Sequence, residues 1–174
     1  MEVKVFLGIG SNIEPRAGYI LRAIQLLSTY KDISINRLSS IYRARPLGSS
    51  TKGEFLNLVA EITTDVSPEE LFQIIKNTEV DTGRIMRKRW GAREIDIDII
   101  FYGDLVYHSE LLDIPHRGLM ERDFFVYPLL ELEPKAVNPE TGERLSSISF
   151  ETDEMFIAGK YDPKEEPNED LYGK

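Results

Sequence analysis

Apolar residues alternate with others at Val3, Val5, Leu7 and Ile9, the period of a strand, which is expected to end in a turn at Gly10-Ser11-Asn12. Ile20, Leu21, Ile24 and Leu27 then fall at helical spacing, so residues 15 to 30 read as an amphipathic helix with Pro15 in its first turn. A second strand is expected from Ile33 to Tyr42. A third follows where Leu56, Leu58, Ala60 and Ile62 alternate with Phe55, Asn57, Val59 and Glu61. Ser67-Pro68-Glu69-Glu70 has the form of a capping box with proline at the first helical position, opening a helix that carries Leu71, Ile74 and Ile75 and stops at Gly83. Ile95 to Phe101 returns to the two-residue period. Gly103-Asp104 then turns the chain into a short strand, Leu105 to Tyr107.

The order β-α-β-β-α-β predicts an α+β fold of the ferredoxin-like, split βαβ kind: a mainly antiparallel sheet with helices packed on it. The apolar run Phe124 to Leu132 predicts an extra C-terminal helix, started near Pro128. Between these elements, Arg43 to Gly53 is rich in turn formers and reads as a mobile loop beside the site, while Leu112 to Arg117 breaks periodicity. With 174 residues, one domain over residues 1 to 160 is expected. The acidic, proline-bearing stretch 161–174 is expected to be a loosely held tail.

Charge sharpens the picture at one place. Arg84 to Arg93 carries five cations and no acid, so the net charge of −9, less this +5, leaves −14 on the rest of the chain. Such a contrast reads as a local anion site on an acidic protein rather than a general nucleic-acid surface. The absence of cysteine excludes disulfides, a thiol nucleophile and zinc-thiolate chemistry. The N-terminus runs directly into a strand pattern, and no apolar run approaches the ~20 residues of a membrane span, so a cytoplasmic protein, taken as a monomer, is expected.

Directly after the basic stretch, Asp96 and Asp98 stand two residues apart on a strand, hence on one face, with Cα atoms roughly 6.6 Å apart. Oxygen-only ligands at that spacing suit Mg²⁺, and the neighbouring arginines suit phosphate oxygens, so the pair reads as a nucleotide-phosphate site. The bland reading is an acidic strand face paired with its own upstream loop. Gly8-Ile9-Gly10 is not a dinucleotide fingerprint, because Ile13 stands where the third glycine belongs, and it reads as a tight turn; no segment has Walker A spacing. An RNA-binding module shares this element order, but its Arg/Lys-Gly-aromatic signature is missing and the two aspartates would repel a phosphate backbone.

Four segments together, Leu7-Gly8-Ile9-Gly10-Ser11-Asn12, Ser39-Ser40-Ile41-Tyr42, Arg89-Trp90-Gly91-Ala92-Arg93-Glu94-Ile95-Asp96-Ile97-Asp98 and Pro115-His116, resemble the 6-hydroxymethyl-7,8-dihydropterin pyrophosphokinases of folate biosynthesis. The resemblance spans about residues 3 to 134. It implies transfer of the β,γ-pyrophosphoryl group of ATP to the pterin hydroxymethyl oxygen, with release of AMP and two Mg²⁺ ions held by Asp96 and Asp98. It further implies Arg84 and Arg93 as catalytic cations, and Glu79, Arg89, Trp90, His116 and Arg122 at ATP. Phe55 and Phe124 would sandwich the pterin, with Asn57 on its amide edge. An inactive ATP-binding relative is the other outcome the resemblance allows. The chain departs from the family in Phe55, where tyrosine is common, in Ala92 for proline, and in Arg117 after His116.

Overall fold

The computed structural model describes residues 1–46, 53–85, 92–151 and 155–164. Its six-stranded antiparallel sheet is built around β1 (Val3–Ser11) and β4 (Phe55–Thr64), with β5 (Asp96–Tyr102) on the outer side of β1. Along the other edge of β4 lie β2 (Ile33–Leu38) and then β3 (Tyr42–Ala44), and β8 (Ile157–Lys160) extends the sheet beyond β3. Helices α1 (Arg16–Leu27) and α2 (Pro68–Thr82) cover one face, and α3 (Asp123–Leu132) covers the other. This is the ferredoxin-like α+β arrangement that the element order predicts, with the extra helix making a third layer.

Two apolar clusters follow from strand alternation. Val5, Leu7, Ile9, Ile97 and Ile99 pack against Ile20 and Leu27 of α1 and Leu71 and Ile75 of α2. Phe6, Val59, Ile100 and Phe101 pack on the opposite face against Phe125, Val126 and Leu129 of α3. Ile99 and Ile100 point to opposite faces, and a register shift then lets Phe101 pair with Phe6 while Ile99 pairs with Leu7. This bulge, just after Asp98, ends the strict alternation expected through Phe101.

The capping box forms as predicted: Glu70 N–H donates to Ser67 Oγ at 3.2 Å, and Ser67 N–H donates to Glu70 Oε2 at 3.0 Å. Gly83 closes α2 at φ +116°, a left-handed conformation that glycine adopts without a Cβ penalty.

Other expectations are corrected. Gly10 and Ser11 are strand, not turn. The single strand expected from Ile33 to Tyr42 is broken at Ser39, whose Oγ accepts the Val59 N–H at 2.9 Å and so takes a ladder position from the backbone. In place of a strand at Leu105 to Tyr107, a two-residue strand β6 (Tyr107–His108) pairs only with β7 (Asp113–Ile114), forming a small arm. Helix α3 starts at Asp123, five residues before Pro128; its fully buried Phe125, Val126 and Leu129 outweigh the hydrogen bond that Pro128 cannot donate. Strand β8, unforeseen, is tied to α3 by the buried Asp123, whose Oδ2 accepts the Ile157 N–H at 2.9 Å. At the start of the expected tail Tyr161 is buried, and 165–174 lie outside the described residues. No helix among the described residues is long and apolar enough to cross a membrane.

Candidate active site

On the α3 face, opposite α1 and α2, β1 presents two glycines. Gly10 pairs with Asp96 on one side and Asn57 on the other, and Gly8 pairs with Asp98. A Cβ at Gly10 would lie 2.5 Å from Asn57 Oδ1, and one at Gly8 would lie 2.5 Å from the Phe125 ring. The glycines therefore leave a flat floor on which Asn57, Phe125 and the two aspartates converge. Phe55 and Asn57 share this face, as expected, and Phe124 joins the same cluster, its ring 5.0 Å from Phe125 and 5.7 Å from Phe156 in edge-to-face geometry. Phe55 is half-buried; Asn57 and Phe124 are buried.

Asp96 and Asp98 do lie on one face, half-buried. Arg84 Nη1 donates to Asp96 Oδ1 at 2.9 Å, and Arg93 Nη1 donates to Asp96 Oδ2. Arg93 is fixed at its backbone by Asn12, whose Oδ1 accepts the Arg93 N–H at 2.7 Å while its own N–H donates to the Arg93 carbonyl at 3.1 Å. Asn12 is a site residue that the reading of the sequence missed; only the fold brings it 81 positions along the chain to Arg93. Asp98 faces His116, with Nε2 3.9 Å from Oδ1. The Gly118 N–H donates to His116 Nδ1 at 3.0 Å, which puts the imidazole proton on Nε2, toward the aspartate. Burial, with Arg122 adding to it, lowers the His116 pKa to about 4, so the ring is neutral near pH 7. Burial, followed by the charge of Asp96, pushes Asp98 up to about 7. A cation beside Asp98 would reverse that push, and the paired oxygen donors fit Mg²⁺. Among the described residues no group of three or more acidic or histidine side chains could hold a metal.

Glu79, expected at ATP, sits at the junction of α2 and β5. It is 1% exposed, and burial raises its pKa. Its Oε1 accepts the Ile97 N–H at 2.8 Å, and its Oε2 meets Arg84 at 2.6 Å and Lys76 at 3.0 Å, so it joins α2 to β5 and orients Arg84. Arg122 lies over Phe125, 5.5 Å from the ring centroid, in space left by Gly118, where a Cβ would come 2.6 Å from Arg122 Nε. Arg89 and Trp90 lie outside the described residues.

Beyond the outer edge of β5 opens a cleft of about 160 Å³. Phe72 and Ile75 of α2 form one wall and Leu111 and Leu112 of the arm another, with Asp98, Lys76, His116 and Arg117 around them. That is below the roughly 300–1,000 Å³ of sites that enclose drug-sized ligands, room for a ring system but not for a whole nucleotide.

These features have counterparts in known proteins. The family model described as 7,8-dihydro-6-hydroxymethylpterin-pyrophosphokinase matches residues 6–134. The chain belongs to this family. It is therefore an ATP-dependent pyrophosphokinase of folate biosynthesis that acts on hydroxymethyldihydropterin. It is 46% identical over 135 residues to the 2-amino-4-hydroxy-6-hydroxymethyldihydropteridine pyrophosphokinase of Aquifex aeolicus, covering 78% of this chain and 83% of that one. The enzyme of the same name from Bacillus subtilis is 34% identical over 142 residues, with 79% and 85% covered. In fold, the chain is similar to the wild-type HPPK-DHPS of Plasmodium falciparum, with a TM-score of 0.67 at 16% identity over 85% of this chain; it spans 44% of that longer chain.

Proposed function

We propose that the α3 face of the sheet transfers the β,γ-pyrophosphoryl group of ATP to the hydroxymethyl oxygen of 6-hydroxymethyl-7,8-dihydropterin, releasing AMP. The observation that carries this assignment of the site is the convergence of Asp96, Asp98, Arg84 and Arg93 between an aromatic floor and a base-sized cleft. The pterin lies against Phe55 and Phe124, with Asn57 bonding its amide edge. The adenine enters the cleft. Because the Ile97 N–H points off the sheet to Glu79, strand alternation aims the Ile97 carbonyl and the Ile99 N–H the same way, toward the base.

The phosphates then cross Asp96 and Asp98, with His116 and Arg122 alongside. Asp96 and Asp98 would hold two Mg²⁺ ions, whose chemistry when bound is to neutralise charge along the triphosphate. Arg84 and Arg93, which sit on Asp96 in this structure, turn their remaining guanidinium donors to the transferring group. Glu79 acts through Arg84, and Asn12 holds the backbone from which Arg93 reaches. Arg89 and Trp90, outside the described residues, keep the ATP role that the resemblance implies. Catalysis by such a site is positioning and charge stabilisation.

The test is AMP release from ATP with and without the pterin and with and without Mg²⁺. AMP formed only when both are present supports the reading. ADP as product refutes pyrophosphoryl transfer, and ATP binding without any nucleotide product marks an inactive relative. Arg93→Ala should lower kcat far more than it weakens ATP binding, because its contact forms in the transition state.

A further inference from the structure

Strand β8 lies beyond residue 134, where the family match ends, and neither the sequence pattern nor the resemblance singles it out. It is nevertheless fastened at both ends. At its start the Phe156 carbonyl accepts the Arg45 N–H at 2.7 Å, and the Arg45 guanidinium donates to the Met155 carbonyl. Asp123, fully buried at the first position of α3, accepts the Ile157 N–H at 2.9 Å. At its end the Tyr161 N–H donates to the Ile41 carbonyl at 2.8 Å, and Lys160 meets Glu131 at 3.0 Å. A strand held in this way can fix a side chain in place.

The side chain it places beside the site is Phe156. Its ring centroid is 5.7 Å from that of Phe124, with the two planes at 79°. We infer that Phe156 is a positioning residue for the pterin: its edge-to-face contact sets the plane of the Phe124 ring on which the substrate stacks.

The inference rests on the pterin placement proposed above. A flat heterocycle between two rings gains from stacking only while both rings keep their faces toward it. Phe55 stands at the start of the ten-residue strand β4, but Phe124 is the second residue of α3. A helical side chain leans back over the preceding turn, and for the second residue of a helix there is none. The Phe124 ring therefore takes its orientation from neighbours. One is Phe125, at 5.0 Å and 64°, from its own helix; the other is Phe156, from β8. The strand register joins both walls of the pterin site to the same segment. Phe55 pairs with Ala44 and Ala44 with Ile157, and all three pack with the cluster under α3. Asp123 completes the connection, because the residue that holds the Ile157 N–H directly precedes Phe124.

The experiment measures, by titration calorimetry on the full chain, binding of ATP and of the pterin. The pterin is titrated with Mg²⁺ and an ATP analogue whose α,β-bridge is a methylene and cannot be cleaved. Phe156→Leu keeps apolar bulk and removes the ring. It is expected to weaken the pterin by about threefold to tenfold, the scale of one aromatic pair, and to leave ATP within about twofold. Phe156→Tyr should keep the pterin affinity, since the half-buried position lets a hydroxyl reach water. In turnover the loss in Phe156→Leu should fall on KM for the pterin rather than on kcat. A merely structural Phe156 would lower the unfolding midpoint and either leave the pterin affinity of the folded chain unchanged or weaken both substrates alike. Either result overturns the inference, as does a Phe156→Tyr chain that loses as much as Phe156→Leu. Failure of the proposed pterin site shows separately: Phe124→Ala would leave pterin binding intact, and the inference would fall with that placement.

Discussion

The two faces of the sheet are built from the same strands and do opposite things. Toward α1 and α2, β1, β4 and β5 present Val5, Leu7, Ile9, Leu56, Leu58, Ile97 and Ile99, a closed apolar layer. Toward α3 the same strands present Gly8, Gly10, Phe55, Asn57, Asp96 and Asp98, apolar only where α3 covers them. Alternation thus lets one strand serve stability with one set of alternate residues and the proposed chemistry with the other, until the bulge at Ile100 ends the division in β5. Residues adjacent in sequence should then respond to mutation in unlike ways.

The largest effect belongs to the chemical face. Asp98→Ala should lower kcat for AMP release by roughly 10²–10³-fold or more, while the denaturant midpoint holds or rises, since a carboxyl pushed up to about 7 by burial is removed. Loss of cooperative unfolding in that variant would erase the distinction between the faces. One residue away, Ile97→Ala should cost about 2–5 kcal/mol of stability through a cavity, read in urea, with the folded fraction still turning over. Gly10→Ala falls between the two: its Cβ would displace Asn57, so the KM for the pterin should rise more than the KM for ATP. A larger change at ATP would remove Asn57 from the pterin side.

The smallest effect concerns the join between α3 and the sheet. Glu131 accepts the Ser40 N–H at 2.8 Å and the Tyr42 hydroxyl, and pairs with Lys160 at 3.0 Å. Against the upward push of burial, Tyr42, Ser40 and Lys160 bring its pKa down to about 2. A folded-state pKa below the ordinary value stabilises the protein at pH above that value, and the contribution is lost as pH falls from about 4.5 toward 2. Glu131→Gln should therefore flatten the acid limb of the stability curve, measured as the urea midpoint between neutral pH and pH 2.5.

Local rules made much of this legible. The cap at Ser67, the stop at Gly83 and the shared face of Asp96 and Asp98 depend on residues within a turn or two of each other, and each forms as expected. What escaped depends on distant partners. Ser39 breaks a strand because Val59 is opposite, β8 exists because Asp123 and β3 hold four residues that carry little pattern of their own, and Pro128 is carried inside a helix by the core beneath it. Gly8 and Gly10 look like a turn until Phe125 and Asn57 are seen to fill the space above them. The cleft was invisible for the same reason, since its walls come from α2, β5 and the arm.

The outer edge of β5 has one more consequence. An unpaired edge strand is a template for aggregation, because its free N–H and carbonyl groups can recruit a strand from another molecule. Here the Ile97 N–H is taken by Glu79 and the Ile100 carbonyl by the His116 N–H at 3.0 Å, which leaves only a gap of about two residues between the plugs. A gap that short admits a flat ring with one donor and one acceptor but offers no register for a growing ladder. The same two contacts that frame the proposed place for a base also blunt this edge as a template for strand addition.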